Sequence, residues 1–244
     1  MKNNPFSISF TGADDKTAIF DLLSLSCEYP DIEWGVLYFP EKSGSQRNPS
    51  PRWRRDFAEA IGKSRVAAHL CGKQVFDELL DGRKCGKIIE ELLGYHRVQV
   101  NINARTILFN ENDVLNIYER FNEAGINVIM QYHADSIHMI NKYLHGKSSG
   151  HKKQIHILFD GSKGRGKTPE AWPNPLLLDK ELFFCGYAGG LGPETIQTEL
   201  PKIRAAAGKA SYWIDMESGV RTDNEFDLKK VEQVMKFINQ KGIT

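Results

Sequence analysis

Two glycines followed by a helix-opening proline, in Tyr187-Ala188-Gly189-Gly190-Leu191-Gly192-Pro193-Glu194-Thr195, are the clearest ligand-binding signal in this sequence. Glycine lets a backbone approach a ligand closely, and Pro193 with Glu194 reads as the opening of a helix. Free N–H groups there, together with the helix dipole, make a site for an anion. A second segment, Asp215-Met216-Glu217-Ser218-Gly219-Val220-Arg221, offers the Ser218 hydroxyl and an open N–H at Gly219 to the same anion. A third runs from Asp160 through Gly161-Ser162-Lys163-Gly164-Arg165-Gly166-Lys167-Thr168 to Trp172. A carboxylate beside a Gly-rich loop suits a general acid working under a closing lid.

The third segment also matches the phosphate-loop pattern G-x-x-x-x-G-K-[ST] from Gly161 to Thr168. That motif needs a helix growing out of the Gly-Lys-Thr, and Pro169, Pro173 and Pro175 forbid one, so the match is read as accidental. His133 and His138 are five residues apart, a spacing that does not align two metal ligands on one helix face. His156 reads as a core histidine inside a strand. No metal and no cofactor are expected.

These segments need elements to hold them, and the chain supplies short β-type runs alternating with helical periodicity about eight times. The strands are expected at Phe6–Thr11, Trp34–Phe39, Val66–Cys71, Val98–Ile102, Ile126–Tyr132, Ile155–Phe159, Leu182–Tyr187 and Tyr212–Met216. Between them fall apolar positions at three- and four-residue spacing, such as Val114, Ile117, Tyr118 and Phe121, or Leu228, Val231, Val234, Met235 and Ile238. A helix after the fifth strand is expected to start at Asp135, a good N-cap. Repeated strand–helix order implies parallel strands, and eight units favour closure into one (β/α)₈ barrel spanning residues 1–244. In that architecture the strand-end loops share one face, and phosphate recurs between the loops after strands seven and eight.

Composition narrows the partners. Lys and Arg total 32 against 31 Asp and Glu, a net charge of +1, which argues against a nucleic-acid binder. The cysteines at 27, 71, 85 and 185 include no Cys-x-x-Cys pair and read as reduced thiols. No apolar run approaches membrane-spanning length. A cytoplasmic monomer or homodimer acting on a small ligand, with no membrane partner, is the expectation.

The order and spacing of these segments resemble N-(5'-phosphoribosyl)anthranilate isomerase of tryptophan biosynthesis. The resemblance rests on Ala188 to Glu194, on Asp215 to Val220, and on Asp160 followed by Gly164-x-Gly166-Lys167-Thr168 and Trp172. It implies a phosphate-binding barrel and an Amadori rearrangement of a phosphorylated aminoribose. Asp160 would be the general acid, and Gly189, Gly190, Ser218 and Gly219 would grip the phosphate. Asp215, Gln99 and Arg47 would line the rest of the pocket. The family's base is a cysteine within a Lys-Ile-Cys-Gly-Ile-Thr run, where this chain has Ser7-Ile8-Ser9-Phe10-Thr11, and Ser9 is taken as its nearest counterpart. A serine hydroxyl is a far poorer base than a thiolate. Cys71, His133 and Glu217 stand as alternatives. Glu217 and Asn101 also depart from the small residue and the histidine usual at those points. The competing readings are a barrel acting on another phosphosugar or nucleotide-like ligand, and a binding protein without turnover.

Overall fold

A computed structural model describes residues 5–62, 64–101, 110–132, 136–145, 154–160, 166–178 and 180–240. Eight parallel strands close into a barrel: β1 (Ser7–Thr11), β2 (Ile32–Tyr38), β3 (Arg65–Cys71), β4 (Arg97–Asn101), β5 (Asn127–Tyr132), β6 (Ile155–Asp160), β7 (Phe184–Ala188) and β8 (Tyr212–Met216). Each strand pairs in parallel with its sequence neighbours, and β8 returns to β1 through Ser7↔Trp213 and Ser9↔Asp215. The (β/α)₈ reading of the sequence therefore holds.

Among the described residues the helices are α1 (Ile19–Glu28), α2 (Pro51–Ile61), α3 (Lys73–Leu80), α4 (Gly82–Glu91), α5 (Glu111–Glu123), α6 (Ile137–Leu144), α7 (Ile196–Ala207) and α8 (Leu228–Gln240). Local chemistry starts several of them. Ser50 caps α2 by accepting from the Trp53 N–H at 3.2 Å, with Pro51 at the first helical position. Asp81 caps α4 through the N–H groups of Arg83 and Lys84. The α6 cap position falls on Ser136, and the expected cap Asp135 lies outside the described residues.

Helices are not shared evenly among the strands. Two follow β3, and among the described residues none lies between β6 and β7. Pro169, Pro173 and Pro175 deny that crossover a helix. It runs extended instead, with a small hairpin pairing Leu177–Leu178 to Glu181–Leu182. Trp172 anchors it: the indole is buried, donates to Glu199 Oε2 at 2.9 Å, and meets the Tyr187 ring edge-on. Tyr187 in turn donates its hydroxyl to the Pro173 carbonyl at 3.1 Å.

Strand alternation sorts the residues into two cores. Ile8, Phe10, Trp34, Val36, Val98, Val100, Ile157 and Tyr187 face outward into the helix layer. Ala67, Ile129, Leu158, Ala188 and Trp213 face the barrel axis. Barrel interiors of this class are mostly filled by branched apolar side chains. This one carries charge. Arg97 and Glu33 form a buried ion pair, with Arg97 Nε donating to Glu33 Oε2 at 2.9 Å. The Arg97 guanidinium also lies 4.2 Å from the Trp213 ring centroid. Burial raises the Glu33 carboxyl, but Arg97 and the Ser9 hydroxyl outweigh it and hold the group below its ordinary range. His69 and His156 share this interior. Burial drives both downward, His69 to about 4, so both are neutral imidazoles at physiological pH.

Candidate functional site

Among the described residues, the C-terminal ends of β6, β7 and β8 and the loops they feed line an open cleft. Asp160, Gly166, Gly189, Gly190, Asp215, Glu217, Ser218 and Gly219 are among its lining residues. Asp160 is the last residue of β6 and Asp215 sits near the end of β8, and both pair in register with Ala188 on the strand between them. Two inter-strand spacings around a closed barrel put their Cα atoms roughly 9 Å apart. Two carboxylates thus flank Ala188 at the C-terminal end of the barrel.

The wall above them is built from backbone. Gly189 and Gly190 have φ of +125° and +63°, and a Cβ at Gly190 would lie 2.7 Å from the Thr168 amide nitrogen. A Cβ at Gly219 would lie 2.0 Å from the Leu191 carbonyl oxygen, and one at Gly192 would lie 2.8 Å from the Gly219 carbonyl oxygen. The loops after β6, β7 and β8 therefore stack main chain against main chain, a contact only glycine permits. Gly189-Gly190 does not lead straight into a helix as Pro193-Glu194 suggested. A turn over 193–195 intervenes, tied by the Thr195 hydroxyl to the Gly190 carbonyl at 2.7 Å, and α7 starts at Ile196.

Asp215 is the most perturbed group of the cleft. Burial and the neighbouring Glu217 charge push its carboxyl from 3.8 to about 7, against the Thr11 hydroxyl, which donates to Oδ1 at 3.1 Å. Glu217 accepts from Arg47 Nη1 at 2.8 Å. Arg47 also donates from Nε and Nη2 to Asn224 Oδ1, and Arg221 reaches across to the Gly12 carbonyl and toward Asp14. These contacts join the loops after β1, β2 and β8 along the second side of the cleft.

Several sequence expectations change place. Ser9 is not at the rim. It is 2% exposed inside the barrel, and its hydroxyl donates to Glu33 Oε1 at 2.5 Å. The inward-facing residue at the end of β1 is Thr11, with Gly12 after it, the same order as the Cys-Gly of the family run. Cys71 ends β3, where burial, opposed by the Asn101 amide, pushes its thiol up to about 11. Gln99 is 3% exposed and donates to Asn101 Oδ1 at 2.5 Å, which places it within the barrel rather than on the cleft wall. Arg47 borders the cleft, already bonded to Glu217. His133 lies outside the described residues, as do 161–165 of the Gly-rich loop. His138 is exposed on α6. Residues 166–169 are not helical, so no helix grows out of Gly166-Lys167-Thr168.

Among the described residues no group of three or more His, Cys, Asp or Glu is placed to hold a metal, and no helix is long and apolar enough to cross a membrane.

Comparison by sequence finds no matching family model and no matching curated protein. Comparison by structure finds similar barrels. One is N-(5'-phosphoribosyl)anthranilate isomerase from Pyrococcus furiosus, at a TM-score of 0.54 and 17% identity, covering 96% of this chain and 99% of that one. The phosphoribosyl anthranilate isomerase from Thermococcus kodakaraensis gives 0.51 and 16%, over 95% and 98% of the two chains. Phospho-2-dehydro-3-deoxyheptonate aldolase from Thermotoga maritima gives 0.54 and 15%, over 98% of this chain and 69% of that one. At such identities the likeness is one of fold, and it places this chain among the (β/α)₈ barrels.

Proposed function

We propose that this barrel isomerises a 5-phosphorylated aminosugar by an Amadori rearrangement, with Asp160 as general acid and Asp215 as general base. The observation that carries the reading is the pair of carboxylates on either side of Ala188, beneath a wall of stacked glycine loops. The phosphate would sit against the Gly189-Gly190 and Ser218-Gly219 segments, which line the cleft.

In the first step Asp160 gives its proton to the ring oxygen. The C1–O bond breaks as the nitrogen lone pair forms an iminium at C1. Asp215, ionised, then takes the proton from C2, and the C2–H electrons form the C1–C2 double bond while the C=N electrons return to nitrogen. The resulting enol gains a proton at C1 and loses its hydroxyl proton, giving the amino-ketose. A carboxyl that titrates near 7 is suited to the second step, because it is substantially ionised at neutral pH yet far more basic than an ordinary aspartate. Thr11 positions it by donating to one oxygen.

Incubating N-(5'-phosphoribosyl)arylamines with the protein in deuterated water tests this. The expected product is the amino-ketose phosphate with deuterium at C1, read by proton NMR, and it should form about 10²- to 10⁴-fold more slowly in Asp160→Asn. Binding of ribose 5-phosphate with no ketose from any arylamine would leave a phosphosugar-binding barrel without this chemistry.

A further inference from the structure

Beneath Asp215 the barrel holds a cation that does not bond to it. Trp213 and Asp215 are two residues apart on β8 and share its inward face, their Cα atoms about 7 Å apart along the strand. The Arg97 guanidinium lies 4.2 Å from the Trp213 ring centroid, and its Nη2 approaches Ser9 Oγ at 3.3 Å. Ser9 is the residue in register with Asp215 on β1. Arg97 is therefore one layer of side chains below the proposed base. Yet Asp215 takes its hydrogen bond from the neutral Thr11, and the buried Nη1 of Arg97 has no hydrogen-bond partner among the described residues. Glu33 is what holds the guanidinium down. It accepts from Nε at Oε2, at 2.9 Å, and from Nη2 at Oε1, where the Ser9 hydroxyl also donates at 2.5 Å. That fork, with Trp213 against the guanidinium, fixes its position.

Resting on the reading of Asp215 as general base, we propose that Glu33 is a positioning residue for that reaction: by holding Arg97 in a two-pronged ion pair it withholds the cation from Asp215 and leaves that carboxylate able to act as a base. Arginine stays charged at any working pH, so without Glu33 its charge would turn to another carboxylate, and Asp215 is the one a layer above. An aspartate paired with an arginine titrates lower than an unpaired one and is a correspondingly weaker base. Glu33 and Arg97 already act on the Asp215 carboxyl in opposite directions, Glu33 upward and Arg97 downward, so the intact pair presents little net charge to it. Other groups face Asp215 from other sides. Glu217 follows on its own strand end, tied to Arg47, and Asp160 lies across Ala188. Arg221 is held by the Gly12 carbonyl and Asp14, and Cys71 is a protonated thiol. His69 and His156, beside the pair, are neutral.

Carbon NMR of protein labelled at its aspartate carboxyls titrates Asp215 directly, its resonance identified by loss in Asp215→Asn. Glu33→Gln keeps an oxygen for Ser9 and Arg97 but removes the charge, so the Asp215 midpoint should fall by about one unit or more, a tenfold loss of proton affinity. Asp215 then becomes the counter-charge of Arg97. Adding Asp215→Asn to Glu33→Gln should therefore lower the urea midpoint at about pH 8.5, the reverse of its effect on the wild-type protein. An Asp215 midpoint unmoved in folded Glu33→Gln would overturn the inference. Should that variant not fold, Glu33→Leu with Arg97→Met removes the cation together with its partner. There the Asp215 midpoint should stay within about half a unit of the wild type. A move of about a unit or more in either direction would mean that the pair imposes a net charge on Asp215, and the inference would fail. Turnover against pH separates this from the reading it rests on. A turnover limb that moves with the carboxyl in Glu33→Gln supports both. A moved carboxyl with an unmoved limb removes Asp215 as the base, and with it the part of Glu33 in the reaction, whereas an unmoved carboxyl removes the inference alone.

Discussion

Replacing Asp215 by Asn keeps an oxygen to accept from the Thr11 hydroxyl and removes a charge that the folded protein holds at a cost. The folded carboxyl titrates near 7 where an ordinary one titrates at 3.8, a raised value. Protonated Asp215 therefore stabilises the fold relative to the ionised form. That contribution is whole below 3.8 and is lost as pH rises from 3.8 through about 7. At about 1.4 kcal/mol for each unit, the full loss is of order 4 kcal/mol, of which roughly 3 kcal/mol falls between about pH 5 and about pH 8.5. Asn carries no such dependence. Urea unfolding of both proteins at those two pH values should show Asp215→Asn gaining on the wild type by a few kcal/mol at the alkaline end. The same group should leave an alkaline-rising limb near pH 7 in wild-type turnover, because the base works ionised. A stability difference between the two proteins that is the same at both pH values would refute the reasoning, since it would mean the carboxyl is not raised on folding.

The other variants separate chemistry, grip and scaffold. Asp160→Asn should lower turnover by about 10²- to 10⁴-fold and leave ribose 5-phosphate affinity nearly unchanged, measured by steady-state assay and calorimetry. Gly190→Ala should weaken ribose 5-phosphate binding by about tenfold or more, because its Cβ meets the Thr168 amide at 2.7 Å and φ is +63°. Undiminished affinity there would place the phosphate elsewhere. Arg97→Met leaves Glu33 buried without its cation and should cost about 3–5 kcal/mol in chemical denaturation, while adding Glu33→Leu to it should recover most of that loss.

The barrel was legible because the periodicities that specify it are local. Strictly alternating runs such as Phe6–Thr11 and i, i+3, i+4 faces such as that of Val114 to Phe121 report strand and helix without help from distant residues. The glycine segments after β7 and β8 were legible as strand-end loops for the same reason, since glycine after a β-type run marks a turn. What the sequence concealed was set by the far side of the barrel. Glu33 lies just before the run expected for the second strand, so nothing marked it as an inward position. Its partner Arg97 is 64 residues away and meets it only because the barrel closes. Ser9 and Thr11 share one face of β1, and only depth along the strand decides their partners: Thr11 donates to Asp215 Oδ1, and Ser9 donates to Glu33 deeper in the barrel. Among the described residues no helix lies between β6 and β7, and the three prolines that exclude a helix out of Gly166-Lys167-Thr168 account for that as well.

The stacked glycines also bear on how binding and catalysis are linked. Gly166, Lys167 and Thr168 follow Asp160 in the chain and are the main-chain neighbours of Gly189 and Gly190, while Gly219 rests on Leu191 and Gly192. An anion seated against the β7 and β8 loops would therefore press on the segment that continues from the proposed acid. With no Cβ between them, these loops cannot absorb a shift by side-chain rotation, so a displacement in one passes to the next through backbone contact. The same stacking explains why a larger residue at Gly190 or Gly219 should reach beyond the phosphate: it would alter the approach of Asp160 as well, and lower turnover more than affinity alone accounts for. Comparing the loss of kcat with the loss of ribose 5-phosphate affinity in Gly190→Ala measures that linkage. A kcat unchanged at saturating substrate would show that the glycine stack serves binding only.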